Sequence, residues 1–239
     1  VVFYIIEKAI KDKSLDIDNN QEIVEASSGN TGISVSFVSS LISCPCTIIM
    51  PKNMSQERKN LIKLFGSKLL EVDDGKFDDA INLRNKYAID NKCFNVNQFN
   101  NQLNIECHYN TTGNEILEQL NGVKPDILID GTGTGGTIMG VSKKLKEKYP
   151  ELKVILVEPD ESAVMSGGKP GLHDIQGIGD GSKFLVDLSI VHKIIRIKSK
   201  DAINKAIDLC KNGYYVGISS AANILAAEEC SKEFKNSNI

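Results

Sequence analysis

The 239-residue chain is 41% hydrophobic and 25% charged, a balance that suits a globular protein of one large domain or two lobes. Its net charge is only −3, with both signs mixed along the chain, so no basic arm or stripe points to nucleic acid. No apolar run approaches the roughly 20 residues that cross a bilayer, and the opening VVFYII has no basic segment before it and no cleavage site after it, so no signal peptide is expected.

In chain order, Val1 enters a helix with no cap, and short apolar strands then alternate with helical patterns. EIVEA, CTIIMP, SKLLEV, KCFNV, DILID, KVILVEP and KIIRIKS read as strands, most of them apolar on both faces as buried parallel strands are. Between them NTGISVSFVSSLIS, SQERKNLIKLF, KFDDAINLRNKYAID and GGTIMGVSKKLKEKYP carry apolar residues at helical spacing. In the last, Ile138, Val141 and Leu145 share one face while Lys143, Lys144 and Glu147 point outward. This alternation predicts an α/β fold with parallel sheets. The asparagine-rich segment 95–110 and the glycine-rich segment 166–181 are expected to be long irregular stretches, which in a compact domain are functional or mobile. The chain starts without methionine and stops after an amphipathic helix, where a further strand would be due, so a fragment is expected.

Six cysteines (Cys44, Cys46, Cys93, Cys107, Cys210, Cys230) are scattered along the chain, with one close pair in SCPCT. A lone C-x-C without further ligands reads as packing rather than metal binding, and a reduced cytosolic compartment is expected. His108 and His173 lack partners at metal-ligand spacing. Lys169 sits in a polar glycine-proline loop and reads as exposed.

The strongest chemical signal is DILIDGTGTGGTIMG, where a strand ends in a glycine-threonine run and a helix begins at once. Backbone N–H groups in such a turn, with the positive end of the helix, form an anion site. Thr134 and Thr137 add hydroxyl donors. Which anion remains open on the residues alone. Gly131, Gly133 and Gly136 satisfy G-x-G-x-x-G, and Glu158 ends the next strand, the pattern of a dinucleotide fold. A monophosphate cup fits as well, and the loop comes late for a dinucleotide fingerprint. EASSGNTGIS presents a second strand-to-helix turn, where Ser27, Ser28, Asn30 and Thr31 offer donors at a helix N-terminus, a place for a carboxylate or phosphate. The bland alternative is Ser28 or Asn30 as an N-cap, but capping needs one such residue and four are present. The third loop, SGGKPGLHDIQGIGDG, is too long and glycine-rich for a plain connection.

Six segments, EASSGNTGISVSFV, MPKNMSQERKNLIKLFGSKLL, QFNNQLNIECHYNTTGNEI, GTGTGGTIMGVSKKLKEKYP, SGGKPGLHDIQGIG and YVGISSAANILAA, occur in an order that resembles the cysteine synthase (O-acetylserine sulfhydrylase) family of fold-type II pyridoxal-phosphate enzymes. The resemblance spans essentially the whole chain. It implies two α/β lobes of the tryptophan synthase β type, each a largely parallel twisted sheet flanked by helices, expected here at 1–101 and 102–239. It implies pyridoxal 5'-phosphate as cofactor, with Gly133, Thr134, Gly135, Gly136 and Thr137 around its phosphate and Asn30 at its 3' oxygen. The loop Ser27, Ser28, Gly29, Asn30 and Thr31 would take the substrate carboxylate with Gln98, and Gly177 would lie beside the substrate. The implied reaction is β-replacement, in which O-acetyl-L-serine and sulfide give L-cysteine and acetate. Further implications are a cytoplasmic homodimer, a docking place for the C-terminal tail of serine acetyltransferase, and no metal, nucleic acid or membrane partner. Cystathionine β-synthase and β-cyanoalanine synthase are the nearest alternatives; a dinucleotide-dependent oxidoreductase and a non-catalytic family member are the more distant ones.

The departures matter. No lysine of this chain lies in the motif that carries the family's Schiff-base lysine, so no catalytic lysine is assigned and the 239-residue chain is expected to be inactive by itself. The serine facing the pyridine nitrogen is also absent. Ala221 stands where GISSG is usual, Gln102 where proline is usual, and GDGSKFLVD replaces GAGFIPEILD, which bears on the binding of a partner near the site entrance.

Overall fold

The computed structural model describes residues 1–27, 29–74 and 77–239. The chain divides into two compact units, Val1–Leu103 and Asn104–Ile239.

The first unit is built on a four-stranded, wholly parallel sheet of order β3-β2-β1-β4, formed by β1 (Ile23–Ala26), β2 (Cys46–Pro51), β3 (Lys68–Val72) and β4 (Phe94–Asn95). Every residue of β1 and β2 is buried, as the double-sided apolar character of EIVEA and CTIIMP requires, whereas the edge strand β3 exposes Lys68 and Glu71 and half-buries the rest. Helices α1 (Val2–Lys11), α2 (Asn30–Leu41), α3 (Gln56–Leu64) and α4 (Phe77–Asp90) flank it. Val2, Ile5, Ile6 and Ala9 of α1 pack with Val35 and Val38 of α2 and Ile48 of β2 in one cluster, while Ala80 of α4 meets Val24, Ala26 and Ile49 in a second.

The second unit carries a three-stranded parallel sheet of order β5-β6-β7, from β5 (Ile127–Gly131), β6 (Lys153–Pro159) and β7 (Lys193–Ile197). Around it stand α6 (Thr112–Gln119), α7 (Gly136–Lys148), α8 (Ser199–Lys211) and α9 (Ile218–Glu233), and α5 (Gln102–Asn110) carries the chain across the boundary. Ile138, Val141 and Leu145 form the buried stripe of α7. After α9 the chain returns to the sheet, where the Asn238 carbonyl accepts from the N–H groups of Asp126 and Ile127 at 2.9 and 3.1 Å. Among the described residues no helix is long and apolar enough to cross a membrane.

The expectation that 95–110 is irregular needs correction, because Gln102–Asn110 is helical. Its asparagines lower helix propensity, but Asn104 and Cys107 are buried and the tertiary packing prevails. KCFNV shrinks to a two-residue strand that pairs only with Ile23 and Val24. The glycine-rich 166–181 has no regular element.

Candidate active site

In the first unit, β1 runs into the turn that opens α2. The Ser27 hydroxyl accepts from the N–H groups of Gly29 (3.1 Å) and Gly32 (2.9 Å), so the buried Ser27 satisfies two donors at the helix start. The N-cap position of α2 is Gly29, and the hydroxyl that satisfies these donors comes from Ser27, two residues before it. Asn30 is exposed, and Ser28 lies outside the described residues. The Thr31 hydroxyl donates to Oε1 of the buried Gln98 at 2.7 Å, joining two predicted substrate residues that stand 67 positions apart. Gln98 is itself held twice more, its Nε2–H₂ donating to the Ala26 carbonyl (3.2 Å) and its backbone N–H to Oε2 of Glu25 (3.0 Å).

Glu25 is fully buried and faces Arg84 of α4, with Nη1 to Oε1 at 2.8 Å. Burial holds the Glu25 carboxyl above the usual carboxylate range, and the Arg84 guanidinium with the Gln98 and Ala26 N–H groups offsets this only in part. Arg84 also donates to Oδ1 of Asn97 at 2.9 Å, which fixes the chain just before Gln98. Arg58 of α3 packs on the loop from outside, since a Cβ on Gly29 would stand 2.9 Å from its Nε. Glu25, Arg84 and Arg58 are absent from the sequence-based site. Each is a single charged residue inside an ordinary strand or helix pattern, and only Glu25, adjoining the turn, offered any signal.

In the second unit, β5 ends at Gly131, the chain turns through 132–135, and α7 begins at Gly136. Gly135 adopts φ +87, a left-handed conformation that brings the helix N-terminus round onto the turn. Asn104 props the turn by donating from Nδ2 to the Thr134 hydroxyl at 3.1 Å, and a Cβ on Gly136 would stand only 2.1 Å from its Oδ1. The Thr137 hydroxyl lies 3.2 Å from Nε2 of His108, whose other ring nitrogen is 3.0 Å from the Thr112 hydroxyl. Burial lowers the pKa of His108, which favours the neutral ring. The glycine-rich segment fastens the turn from the other side. Gly179 N–H donates to the Thr132 carbonyl (2.9 Å) and Leu185 N–H to the Thr134 carbonyl (3.1 Å). A Cβ on Gly133 would stand 2.9 Å from the Gly177 carbonyl oxygen and 3.2 Å from Oδ2 of Asp180. Gly177, at φ +95, is exposed.

Glu158 has another task than the ribose contact a dinucleotide fold would give it. It is 1% exposed, and its carboxylate accepts from Met165 N–H (2.7 Å), Ser166 N–H (3.0 Å) and the Ser166 hydroxyl, anchoring the start of the glycine-rich segment. His173 lies in the same segment with Nε2 3.2 Å from the Gly179 carbonyl oxygen. Lys169 is exposed. Cys44 and Cys46 are buried thiols whose pKa burial raises.

Two buried polar atoms without partners lie at the end of β5 where the glycine-threonine turn begins. Thr132 Oγ1 and Asn223 Oδ1 have none, and Asn223 sits against Gly131. Unpaired buried oxygens cost about 1–3 kcal/mol each unless something reaches them. The Thr132 hydroxyl can donate, whereas Asn223 Oδ1 only accepts; the hydroxyl, the helix N-terminus of α7 and a turn built to admit close approach fit a phosphate-bearing group.

The sequence profile of the family described as pyridoxal-phosphate dependent enzyme matches residues 1–239. Cysteine synthase B of Campylobacter jejuni is 38% identical over 240 residues, covering 99% of this chain and 79% of the relative. A cysteine synthase of Staphylococcus aureus is 38% identical over 242 residues, covering 98% and 76%. Among solved structures, a cysteine synthase from Entamoeba histolytica superposes with a TM-score of 0.91 at 40% identity, over 99% of this chain and 70% of that one. A hydrogen sulfide-producing enzyme from Fusobacterium nucleatum does so at 0.91 and 35%, over 100% and 73%. The two parallel-sheet units are those of fold-type II, and the chain belongs to the pyridoxal-phosphate dependent enzyme family, with the cysteine synthases as its kin.

Proposed function

We propose that the protein of this chain forms L-cysteine from O-acetyl-L-serine and sulfide by β-replacement, with pyridoxal 5'-phosphate as cofactor. The observation that carries the reading is the glycine-threonine turn at the N-terminus of α7, with the unpaired Thr132 hydroxyl beside it and fastening from both sides. Gly133, Thr134, Gly135, Gly136 and Thr137 hold the cofactor phosphate through their N–H groups and the two hydroxyls. Bound there, the cofactor supplies an electron sink for charge developing at the substrate's α-carbon. Ser27, Ser28, Gly29, Asn30 and Thr31 take the amino-acid carboxylate at the start of α2, where the helix dipole favours it. Arg58 beside Gly29 adds positive charge. Gln98 turns its amide to the same carboxylate, Asn30 also contacts the cofactor's 3' oxygen, and Gly177 leaves room beside the substrate. Fixing the carboxylate and the phosphate orients the α-C–H bond for cleavage, a positioning effect.

None of the 239 residues is assigned the covalent role of the family's lysine, so this chain by itself is expected to bind cofactor and substrate without turnover. Family resemblance supports a cytoplasmic homodimer and a contact with the serine acetyltransferase tail, the segment 179–187 being where that contact would differ. The test is binding and turnover together. Pyridoxal phosphate, and not a nicotinamide dinucleotide, should raise the midpoint of thermal unfolding. The reverse preference would end this reading, and cysteine production by the 239-residue chain alone would end the statement about turnover.

A further inference from the structure

Both ring nitrogens of His108 face hydroxyls. Nδ1 lies 3.0 Å from Oγ1 of Thr112, the first residue of α6, and Nε2 lies 3.2 Å from Oγ1 of Thr137, the second residue of α7. The ring is half-buried, whereas Thr137 is exposed at the helix start. A neutral imidazole carries one N–H and one bare nitrogen, so two arrangements are open to the three side chains. In the first, Nδ1–H donates to Thr112 and Nε2 accepts the hydrogen of Thr137. In the second, the Thr112 hydroxyl donates to Nδ1 and Nε2–H donates to Thr137.

The two arrangements differ in what Thr137 can offer a ligand, because a hydroxyl has a single hydrogen. In the first that hydrogen is held by the ring, and an anion at the start of α7 would meet only lone pairs. In the second the ring fills the accepting side of Thr137, and the hydrogen is left for the anion. The second also leaves no hydroxyl idle. Among the described residues the Thr112 hydroxyl has no hydrogen bond other than the one with Nδ1. We propose that His108 is a positioning residue of the cup: with Nδ1 accepting from Thr112, its Nε2–H donates to Thr137 and turns that hydroxyl's hydrogen toward the phosphate. The inference rests on the phosphate reading of the turn and adds to it a relay of fixed direction, from Thr112 through His108 to Thr137.

The test has a spectroscopic part and a binding part, both on the purified chain at pH 8. There the ring is neutral, since an unperturbed imidazole titrates at about 6.5 and burial lowers His108 further. Long-range proton–nitrogen correlation spectra separate the two tautomers of each of the three histidines, and His108→Gln identifies the His108 signals. The Nε2–H form should predominate; a predominant Nδ1–H form would overturn the inference without any ligand. Affinities for inorganic phosphate and for pyridoxal phosphate are then compared for wild type, His108→Gln, His108→Met, Thr137→Val and the His108→Met/Thr137→Val double variant, each checked for folding by circular dichroism. His108→Met should weaken both ligands by roughly fivefold, the scale of one hydrogen bond. His108→Gln, whose amide can still donate to Thr137, should stay near wild type. Once Thr137→Val has removed the hydroxyl, His108→Met should cost nothing more, as residues acting through one another do in a double-mutant cycle. A His108→Met loss that persists in the Thr137→Val background, or an equal loss in His108→Gln, would assign His108 to packing and overturn the inference. Wild-type binding that His108→Met leaves unchanged ends the inference alone, whereas a wild type that binds neither ligand ends the phosphate reading of the cup and the inference with it.

Discussion

The two turns start from the same plan, a parallel strand running into a helix N-terminus, and end in opposite states. The turn of the first unit is closed on itself. Ser27 answers Gly29 and Gly32, Thr31 answers Gln98, and Gln98 is tied to Ala26 and Glu25. The turn of the second unit is propped from outside by Asn104, Gly179 and Leu185 and leaves Thr132 Oγ1 and Asn223 Oδ1 without partners. A ligand of the second turn meets groups that are already waiting, whereas a ligand of the first must exchange for bonds already made. Groups already waiting at the second turn favour tight retention, which suits the cofactor proposed there; exchange at the first turn favours release, which suits a substrate and product.

The largest effect should come from the foundation of the first turn. Arg84→Met leaves the Glu25 carboxylate buried without its counter-charge, which costs about 3–5 kcal/mol. Urea unfolding should show that loss, while adding Glu25→Gln to Arg84→Met should recover much of it. A double variant as unstable as the single one would mean that Arg84 acts through packing and not charge.

Next is a pH effect at the base of the second turn. Burial raises the Asp130 carboxyl to about 7. Its folded-state pKa lies above the unfolded value of 3.8, so between these values the folded state holds a proton the unfolded chain has lost. The stabilising contribution is therefore full below about pH 4, declines as pH rises toward 7, and is spent above it. The span corresponds to about 4 kcal/mol at most. Asp130→Asn should flatten this profile and stabilise the protein at pH 8, read from urea midpoints at pH 5 and 8. An unchanged profile would show that Asp130 is ionised in the folded state.

Much of this contrast is legible in the sequence. CTIIMP and KVILVEP read as strands because both faces are apolar, and the glycine-threonine run marked an anion turn because few other uses need such residues. The props were not legible. Asn104 lies in a segment whose asparagines speak for a loop, yet it is buried under Gly136 in a helix. The Glu25–Arg84 pair spans 59 positions and follows no spacing rule. Asp180 is visible in the sequence as a departure, but its approach to Gly133 is not.

A smaller effect probes how closely α7 is set against α5. Gly140 lies where α7 passes α5, and a Cβ there would stand 2.5 Å from the Ile105 carbonyl oxygen and 2.8 Å from the Tyr109 N–H nitrogen. Both are backbone atoms, so Gly140→Ala must spread the two helices, at a cost of about 1–3 kcal/mol. Because α5 carries Asn104 and His108, pyridoxal phosphate affinity should fall along with stability. Lost stability with unchanged cofactor affinity would free the cup from its α5 props.

The smallest expected effect decides whether the two turns really divide the work. Thr31→Val removes the hydroxyl that donates to Gln98 at 2.7 Å while keeping the side-chain shape. Losing one such bond costs about 1 kcal/mol. Gln98 remains held by Ala26 and Glu25, so the fold should survive. The substrate carboxylate loses a donor, and O-acetylserine should bind the cofactor-loaded protein roughly fivefold more weakly, on the same scale of about 1 kcal/mol. Pyridoxal phosphate affinity should stay as it was if, as proposed, its phosphate is held by the turn of the other unit. Equal losses for both ligands would show that the first turn also holds the cofactor phosphate, and the separation of a retained ligand from an exchanged one would no longer stand.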